Sequence, residues 1–259
     1  MQYLDQPAPS PGMPRLPSST GRAATDRLTE LRAEVAAIGT ARQIEIRLPW
    51  SGRRYRLIQP TDTDALLDRV ADDPEQNLPY WSEIWPSGIA LADAIVRQPR
   101  ALQGKRVLEL GSGLGVTAIA ALQAGAELIA VDYAPESLAL CCLNALRNSG
   151  REPATRRLNW RDPELVFLDL AGAGYPVVLA ADVLYEARDI DPLLTLVDRL
   201  VAPDGLLWLA EPSRPVARRF LDAARERGWQ IVSRSHPGPW PDPKDDWITV
   251  HLHNLRWRR

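Results

Sequence analysis

The stretch Val107-Leu-Glu-Leu-Gly-Ser-Gly-Leu-Gly115 decides the fold of this chain. A short apolar run, predicted as the strand Arg106–Leu110, passes directly into three glycines and then into a helix predicted over Val116–Ala124. Glycine is needed where a backbone turns sharply and approaches a ligand with no Cβ in the way. The spacing therefore predicts a strand–loop–helix unit whose loop lies against an adenosine-containing ligand.

The glycine spacing separates two kinds of adenosine cofactor. Dinucleotides are bound by a G-x-G-x-x-G loop, with their pyrophosphate at the helix N-terminus. Here the spacing is G-x-G-x-G over Gly111, Gly113 and Gly115, and Glu109 stands two residues before the first glycine. A carboxylate at that position would repel a pyrophosphate, whereas it suits a cofactor that carries an amino group and no phosphate.

Outward from the loop, short apolar runs alternate with helical patterns. The further predicted strands are Leu128–Val131, Ala154–Leu158, Val177–Ala180 and Leu206–Ala210. The further predicted helices are Pro135–Asn148, Ile190–Val201 and Arg214–Arg227. This rhythm predicts an α/β fold with an open, mostly parallel sheet and helices on both faces. The strands Gln230–Arg234 and Ile248–Leu255 flank a proline-rich loop with no room for a helix, so they are predicted to form an antiparallel hairpin at the sheet edge.

The glycine loop and this topology resemble the class I S-adenosylmethionine methyltransferases, whose Rossmann-like fold has seven strands and an antiparallel C-terminal hairpin. The resemblance implies S-adenosylmethionine as the cofactor. Asp132, at the end of the second strand, would accept hydrogen bonds from the ribose hydroxyls; its alternative role is to cap the helix that starts at Pro135. Asn159 and Trp160 follow the third strand, where adenine would lie, although Trp160 could instead anchor a surface loop.

The residues after the fourth strand narrow the resemblance. The segment Ala181–Tyr185 lacks the Asn/Asp-Pro-Pro-Tyr/Phe pattern of enzymes that methylate planar amides or adenine. Cys141 and Cys142 lie in mid-helix, which argues against a cysteine nucleophile for pyrimidine methylation. With Trp85-Pro86 and Asn159-Trp160, the Asp182-x-x-Tyr185 spacing resembles the family 16 lysine methyltransferases. The stretch from residue 79 to residue 88 looks most like the branch that modifies the electron-transfer flavoprotein β-subunit.

This resemblance implies a role for each matching residue. The cofactor contacts would fall on Trp85, Glu109, Gly111, Gly113, Gly115, Asp132, Asn159, Trp160 and Ala181. The Asp182 carboxylate would hold and orient the ammonium group of a lysine, and the Tyr185 ring would wall the channel of its methylene stem. A core tryptophan at a helix entry is the alternative for Trp85, and a cap of the following loop is the alternative for Asp182.

Three segments are expected along the chain. Residues 1–24 are rich in proline and are predicted to be a disordered tail. Residues 25–78 are predicted to form a substrate-side extension, and residues 79–259 the S-adenosylmethionine-binding methyltransferase domain. The elements predicted around the extension are the helix Ala24–Ile38, the strands Gln43–Leu48 and Arg54–Ile58, and the acidic helix Asp62–Glu75.

Composition limits the partners and the compartment. The 259 residues carry a formal net charge of −2, which gives no global positive field for nucleic acid or an anionic membrane. Two adjacent cysteines are too few to hold a secreted scaffold together by disulfides. Neither a signal peptide nor a membrane span is visible in the sequence. A cytoplasmic location is therefore predicted, and the chain is expected to be a monomer. His251 and His253 share a strand face without a third ligand at metal spacing, so no metal is expected.

The leading hypothesis is an S-adenosylmethionine-dependent N-methyltransferase that acts on a lysine side chain of a protein. A second reading is a small-molecule N-methyltransferase for an amine or a pyridine, which a deep sealed pocket would favour over an open groove. A third is a non-catalytic partner protein that keeps the cofactor site. Intact Glu109, Asp132, Asp182 and Tyr185 argue against this third reading. The basic cluster from Arg147 to Arg161 either faces an acidic protein surface or forms a solvated face.

Overall fold

The computed structural model describes residues 21–71, 73, 75, 77–163 and 172–257. The predicted tail falls outside these ranges up to residue 20. Helix α1 runs over Gly21–Ala36, so the residues 21–24 that the sequence assigned to the tail are helical.

The elements alternate as the sequence pattern indicates. The strands are β1 (Ala41–Arg47), β2 (Arg54–Pro60), β3 (Arg106–Leu110), β4 (Glu127–Asp132), β5 (Ala154–Arg157), β6 (Tyr175–Ala181), β7 (Val201–Glu211), β8 (Trp229–His236) and β9 (Val250–Trp257). The helices in the described ranges, besides α1, are α2 (Thr63–Arg69), α3 (Pro86–Arg97), α4 (Val116–Gln123), α5 (Pro135–Ser149), α6 (Ile190–Leu200) and α7 (Pro215–Glu226).

A seven-stranded sheet in the order β5-β4-β3-β6-β7-β9-β8 forms the centre of the fold. The pairs from β5 to β7 are parallel, and β9 is antiparallel to both of its neighbours. The interior strands β3 and β6 are apolar almost throughout because helices cover both faces of a parallel sheet. The predicted Rossmann-like fold, with its terminal antiparallel hairpin, is confirmed.

Each face of the sheet has its own core. Side chains of α3 and α4 pack on one face around Val107, Val177 and Leu179. Side chains of α6 and α7 pack on the other around Leu108 and Leu110. Alternate residues of β3 therefore enter opposite cores, as the period of a strand requires.

The β1–β2 hairpin lies on α5 through two asparagine clamps. The Asn144 amide accepts the Ile58 N–H at 2.7 Å and donates to the Ile58 carbonyl at 3.1 Å. One helical turn later, Asn148 does the same for Arg56, at 2.9 Å in both directions. These side chains stand in for a neighbouring strand, so this edge of the hairpin is not left unpaired. The Asn144 amide also donates to the Leu114 carbonyl in the glycine loop, at 3.0 Å.

Two elements differ from the sequence expectation. The acidic helix is only Thr63–Arg69. Asp62 caps its start by accepting the Ala65 N–H at 3.0 Å, and the Val70 N–H closes its end by donating to the carbonyls of Leu67 and Asp68. The proline-rich loop does hold a helical segment, the single 3₁₀ turn Pro243–Asp245. No helix within the described ranges is both long and apolar enough to cross a membrane.

Candidate active site

A cavity of about 390 Å³ opens at the carboxyl ends of β3, β4 and β6, where ligands bind in open α/β sheets. The predicted site residues that line it are Trp85, Gly111, Gly113, Asp132, Asn159, Trp160, Ala181, Asp182 and Tyr185. Glu109 and Gly115, which were also predicted to contact the cofactor, are not on its wall. The fold therefore brings together side chains that are up to 100 positions apart in the sequence.

The first two glycines shape the floor of the cavity. Gly111 has φ +72°, and a Cβ there would lie 2.9 Å from the Val183 Cγ1. Gly113 has φ +49°, and its N–H donates to the Asp132 carboxylate at 3.0 Å. Left-handed backbone at both positions explains the sequence requirement, because only glycine adopts it at little cost.

Gly115 serves the packing of helices. It precedes α4 with φ +81°, and a Cβ there would lie 3.0 Å from the Cys141 Cα on α5. The third glycine thus lets α4 and α5 approach closely, as the third glycine of a Rossmann loop does for helix and strand.

Glu109 lies beneath the loop. Its side chain points to the same face of β3 as Val107 and is only 2% exposed. Its Oε2 has no hydrogen-bond partner among the described residues. Burial raises the pKa of this carboxyl well above its usual range, and the neighbouring charge of Asp132 adds to the shift.

Asp132 both braces the loop and faces the cavity. One carboxylate oxygen accepts the Gly113 N–H and the Ser137 hydroxyl at 2.7 Å; the other accepts the Ala134 N–H at 3.1 Å. Helix α5 begins at Pro135 with Ala134 as its N-cap, so Asp132 is not the cap that the sequence left as an alternative. Burial raises the pKa of Asp132, and these hydrogen bonds oppose the shift.

The loop after β5 forms a second wall. Asn159 accepts the Arg161 N–H at 3.0 Å, which fixes its side chain. Trp160 is partly buried, lines the cavity and packs against the core beneath β3. Its apolar face is therefore available to a planar ring.

Asp182 stands at the end of β6 in strained backbone. Its φ is +58°, which is unusual for a residue other than glycine, and its N–H is held by the Ala210 carbonyl at 2.9 Å. The side chain is 6% exposed and pairs with the guanidinium of Arg214. Burial raises the pKa of the Asp182 carboxyl, and Arg214 opposes that shift.

Three aromatic rings frame the cavity beside Asp182. The Tyr185 ring meets the Tyr80 ring edge-on at 5.3 Å, and Tyr80 meets Trp85 at 6.2 Å. The Trp85 indole N–H donates to the Tyr80 carbonyl at 2.9 Å. Trp85 also precedes Pro86, the first residue of α3, so it lies at a helix entry and on the cavity wall at once.

Sequence reasoning missed Arg214. Its guanidinium pairs with Asp182 and lies 5.9 Å from the centre of the Trp85 ring. Its backbone N–H donates to the Glu211 carboxylate at 3.1 Å. The usable signal was positional, because Arg214 closely follows β7 and the carboxyl ends of neighbouring parallel strands share one edge of the sheet.

Most of the basic cluster is exposed to solvent. Arg151, Arg156 and Arg157 are exposed, which agrees with the solvated-face interpretation, although Arg151 and Arg157 also donate to backbone carbonyls. Arg161 differs from them, because it is 14% exposed and its Nε lies 2.6 Å from the fully buried Asp189.

The histidines on β9 pair with hydroxyl and carboxylate groups. His253 is buried between the Ser233 hydroxyl at 2.7 Å and the Glu211 carboxylate at 3.1 Å, and His251 lies 2.9 Å from the Ser235 hydroxyl. Across the described ranges, no three His, Cys, Asp or Glu side chains are grouped as a metal site requires.

Comparisons with known proteins place the chain in a family. The family model described as lysine methyltransferase matches residues 75–227. Histone-arginine methyltransferase METTL23 of Xenopus laevis is 29% identical over 160 residues, covering 60% of this chain and 68% of that protein. The electron transfer flavoprotein beta subunit lysine methyltransferase of mouse is 29% identical over 167 residues, covering 62% of this chain and 60% of that protein.

Solved structures share the fold. The magnesium protoporphyrin IX methyltransferase of Synechocystis, solved with bound S-adenosylmethionine, superposes with a TM-score of 0.50 at 17% identity. The superposition covers 76% of this chain and 98% of that one. Because the family model covers more than half of the sequence and the fold agrees with it, the chain belongs to the lysine methyltransferase family, whose members are S-adenosylmethionine-dependent enzymes.

Proposed function

We propose that this chain methylates the Nζ atom of a lysine side chain in a protein substrate. The observation that carries the proposal is a buried carboxylate, Asp182, on the wall of a cavity that the glycine loop, Trp85 and Tyr185 also line. A carboxylate framed by aromatic rings suits a cation on an apolar stem. The mouse relative, which is named for lysine methylation, supports the choice of acceptor.

The residues on the cavity wall fit S-adenosylmethionine. Gly111 and Gly113 form a cradle that a Cβ would fill, and Asp132 offers carboxylate oxygens to ribose hydroxyls. Trp160 offers an apolar face and Asn159 a polar edge to the adenine. When bound, this cofactor supplies an electrophilic methyl group on a positively charged sulfur.

Asp182 would orient the acceptor nitrogen. A lysine enters as an ammonium ion because its unperturbed pKa is ~10.4, and the nitrogen must lose a proton before it can act as a nucleophile. Its ammonium would pair with Asp182 while the stem lies along Tyr185. Burial then disfavours the charged amine, so the proton passes to solvent and the free electron pair becomes available.

The rim of the cavity favours a protein over a small molecule. Leu78 and Tyr80 are 45% and 41% exposed, although both line the cavity. Exposed apolar side chains at the mouth of a site are typical of a contact surface for a macromolecule. A sealed pocket would instead have favoured a small amine.

The setting of the reaction follows the composition. Cys141 and Cys142 are buried and unpaired, which suits a reducing compartment, and the net charge of −2 offers no field for nucleic acid. We infer a cytoplasmic enzyme that acts as a monomer.

The deciding experiment incubates the protein with tritiated S-adenosylmethionine and a lysate of the source cell. A labelled protein band that yields methyl-lysine on hydrolysis supports the proposal. Asp182→Asn should reduce the labelling about 100-fold, the cost of a misplaced acceptor, while the exposed control Asp222→Asn keeps it. Label confined to the acid-soluble fraction, or methyl-arginine in the band, would overturn the assignment to protein lysine.

A further inference from the structure

The position that a substrate cation would take already holds a cation of the chain itself. Arg214 Nη1 donates to Asp182 Oδ1, and the guanidinium carbon lies 5.9 Å from the centre of the Trp85 ring. A carboxylate together with an aromatic ring is the environment in which proteins bind organic cations. Arg214 therefore has the contacts expected of an acceptor side chain.

The second carboxylate oxygen offers no other entry. Asp182 Oδ2 is shielded from solvent and has no hydrogen-bond partner within the described ranges. The Ser87 hydroxyl, on the first turn of α3, is also buried, and it is near enough to oppose the rise that burial causes in the pKa of Asp182. We therefore expect an incoming nitrogen to meet the oxygen that Arg214 already holds.

We propose that Arg214 is a specificity-determining residue that fills the acceptor-cation position and yields it only to an acceptor that is itself a cation. The inference rests on the proposed function. A buried carboxylate left without a partner is strongly destabilising, so Asp182 keeps the guanidinium of Arg214 until the ammonium of an acceptor takes its place. A lysine ammonium can replace Arg214 with no change in charge, whereas a hydroxyl, an amide or a carboxylate cannot.

The loop that carries Arg214 allows this exchange. The Arg214 N–H is fixed by Glu211, whose other oxygen meets His253 on β9, so the backbone is anchored. The Arg214 side chain is 30% exposed and can swing into solvent by rotation about its own bonds. The charged and titratable groups around Asp182 are thus Arg214, which pairs with it directly, Glu211, which is the next nearest charge, and His253, which contacts Glu211.

Binding of small cations tests the exchange without any protein substrate. The probes are n-butylammonium, which has the stem and charge of lysine, and methylguanidinium, which replaces the removed group. Their affinities are measured by thermal shift, because a ligand that binds only the folded chain raises Tm. Arg214→Gln and Arg214→Met should each bind both probes at least about tenfold more tightly than the wild type does, since the competing side chain is gone.

Matched variants locate the effect. Arg214→Lys keeps a cation and should behave as the wild type, and adding Asp182→Asn to Arg214→Gln should abolish the gain. Equal binding to the wild type and to both charge-free variants would overturn the proposal, as would a gain that survives Asp182→Asn.

Kinetic measurements use the protein that is labelled in the lysate assay as the substrate. They distinguish an Arg214 that is exchanged for the substrate cation from an Arg214 that only supports Asp182. Under exchange, the KM of Arg214→Gln for that protein falls about tenfold, because no resident cation must leave first. A lower kcat at unchanged KM would make Arg214 a mere support for Asp182 and overturn the inference. If the wild type labels no lysine, the proposed function fails, while the probe binding still decides whether the position accepts cations.

Discussion

Arg161 and Asp189 form an ion pair that joins two walls of the cavity. The Arg161 Nε lies 2.6 Å from the Asp189 Oδ1, and Asp189 is fully buried at the start of α6. The same guanidinium reaches Glu75 on the N-terminal side of the cavity. One side chain therefore holds the loop after β5, the loop after β6 and the segment that precedes α3.

Breaking this pair is expected to be costly. Arg161→Gln should lower the free energy of unfolding by about 3 kcal/mol, because it leaves Asp189 charged and buried without a partner. Urea unfolding measures the loss. The matched control is Arg219→Gln on the exposed face of α7, for which a change within about 0.5 kcal/mol is expected. Equal effects of the two substitutions would contradict the importance of the pair.

Two glycines allow the cost of backbone strain to be separated from the cost of a steric contact. Gly111 and Gly104 both have left-handed backbone, with φ of +72° and +67°, but only a Cβ at Gly111 would strike a neighbour, Val183. Gly104→Ala should cost about 1 kcal/mol from backbone strain alone. Gly111→Ala should cost about 1–3 kcal/mol more, from overpacking. Thermal unfolding of both variants gives the difference, and identical losses would contradict the predicted contact.

The ribose assignment is tested by calorimetry. Asp132→Ala should weaken the binding of S-adenosylmethionine about 10- to 100-fold, because hydrogen bonds to a charged group contribute about 1.5–3 kcal/mol. The control is Asp222→Ala, an exposed carboxylate on α7, for which the affinity should not change. Unchanged affinity in Asp132→Ala would remove this residue from the cofactor site.

Glu109 predicts a dependence of stability on pH. Because burial raises its pKa, the folded chain keeps this proton at pH values where the unfolded chain has lost it. The folded state then binds more protons, so stability falls as pH rises from the unfolded pKa of ~4.3 towards the folded pKa. Glu109→Gln should lack this loss, and its advantage over the wild type should grow between about pH 5 and about pH 8. Urea unfolding at both pH values measures it, with the exposed Glu127→Gln as the control. An advantage that does not change with pH would contradict the buried ionisable carboxyl.

The sequence predicted the topology because its signals are local. Three glycines after a buried strand, and apolar runs alternating with helical periods, depend only on neighbouring residues. The alternation along β3 puts Glu109 on the side of Val107, and that period was readable from the sequence. The contact of Glu109 with the cofactor stays a prediction.

Contacts between distant residues were out of reach. Arg214 lies 32 positions from Asp182, and Arg161 lies 28 positions from Asp189. The place of Arg214 after β7 indicates the sheet edge that it shares with Asp182, but it does not identify Asp182 as its partner. The sequence did place Asp182 and Tyr185 at one sheet edge, since the end of β6 is a local signal. The cation that pairs with Asp182 depends on how the loops fold over that edge, and only the three-dimensional structure identifies it.

The Asn144 clamp makes the N-terminal hairpin a reporter of the cofactor loop. One amide group holds Ile58 on β2 and Leu114 between the second and third glycines. A ligand that reduces the motion of the glycine loop would then also slow hydrogen exchange at the Ile58 amide, although Ile58 does not contact that ligand. Two segments that read as separate in the sequence would open and close as one cooperative unit.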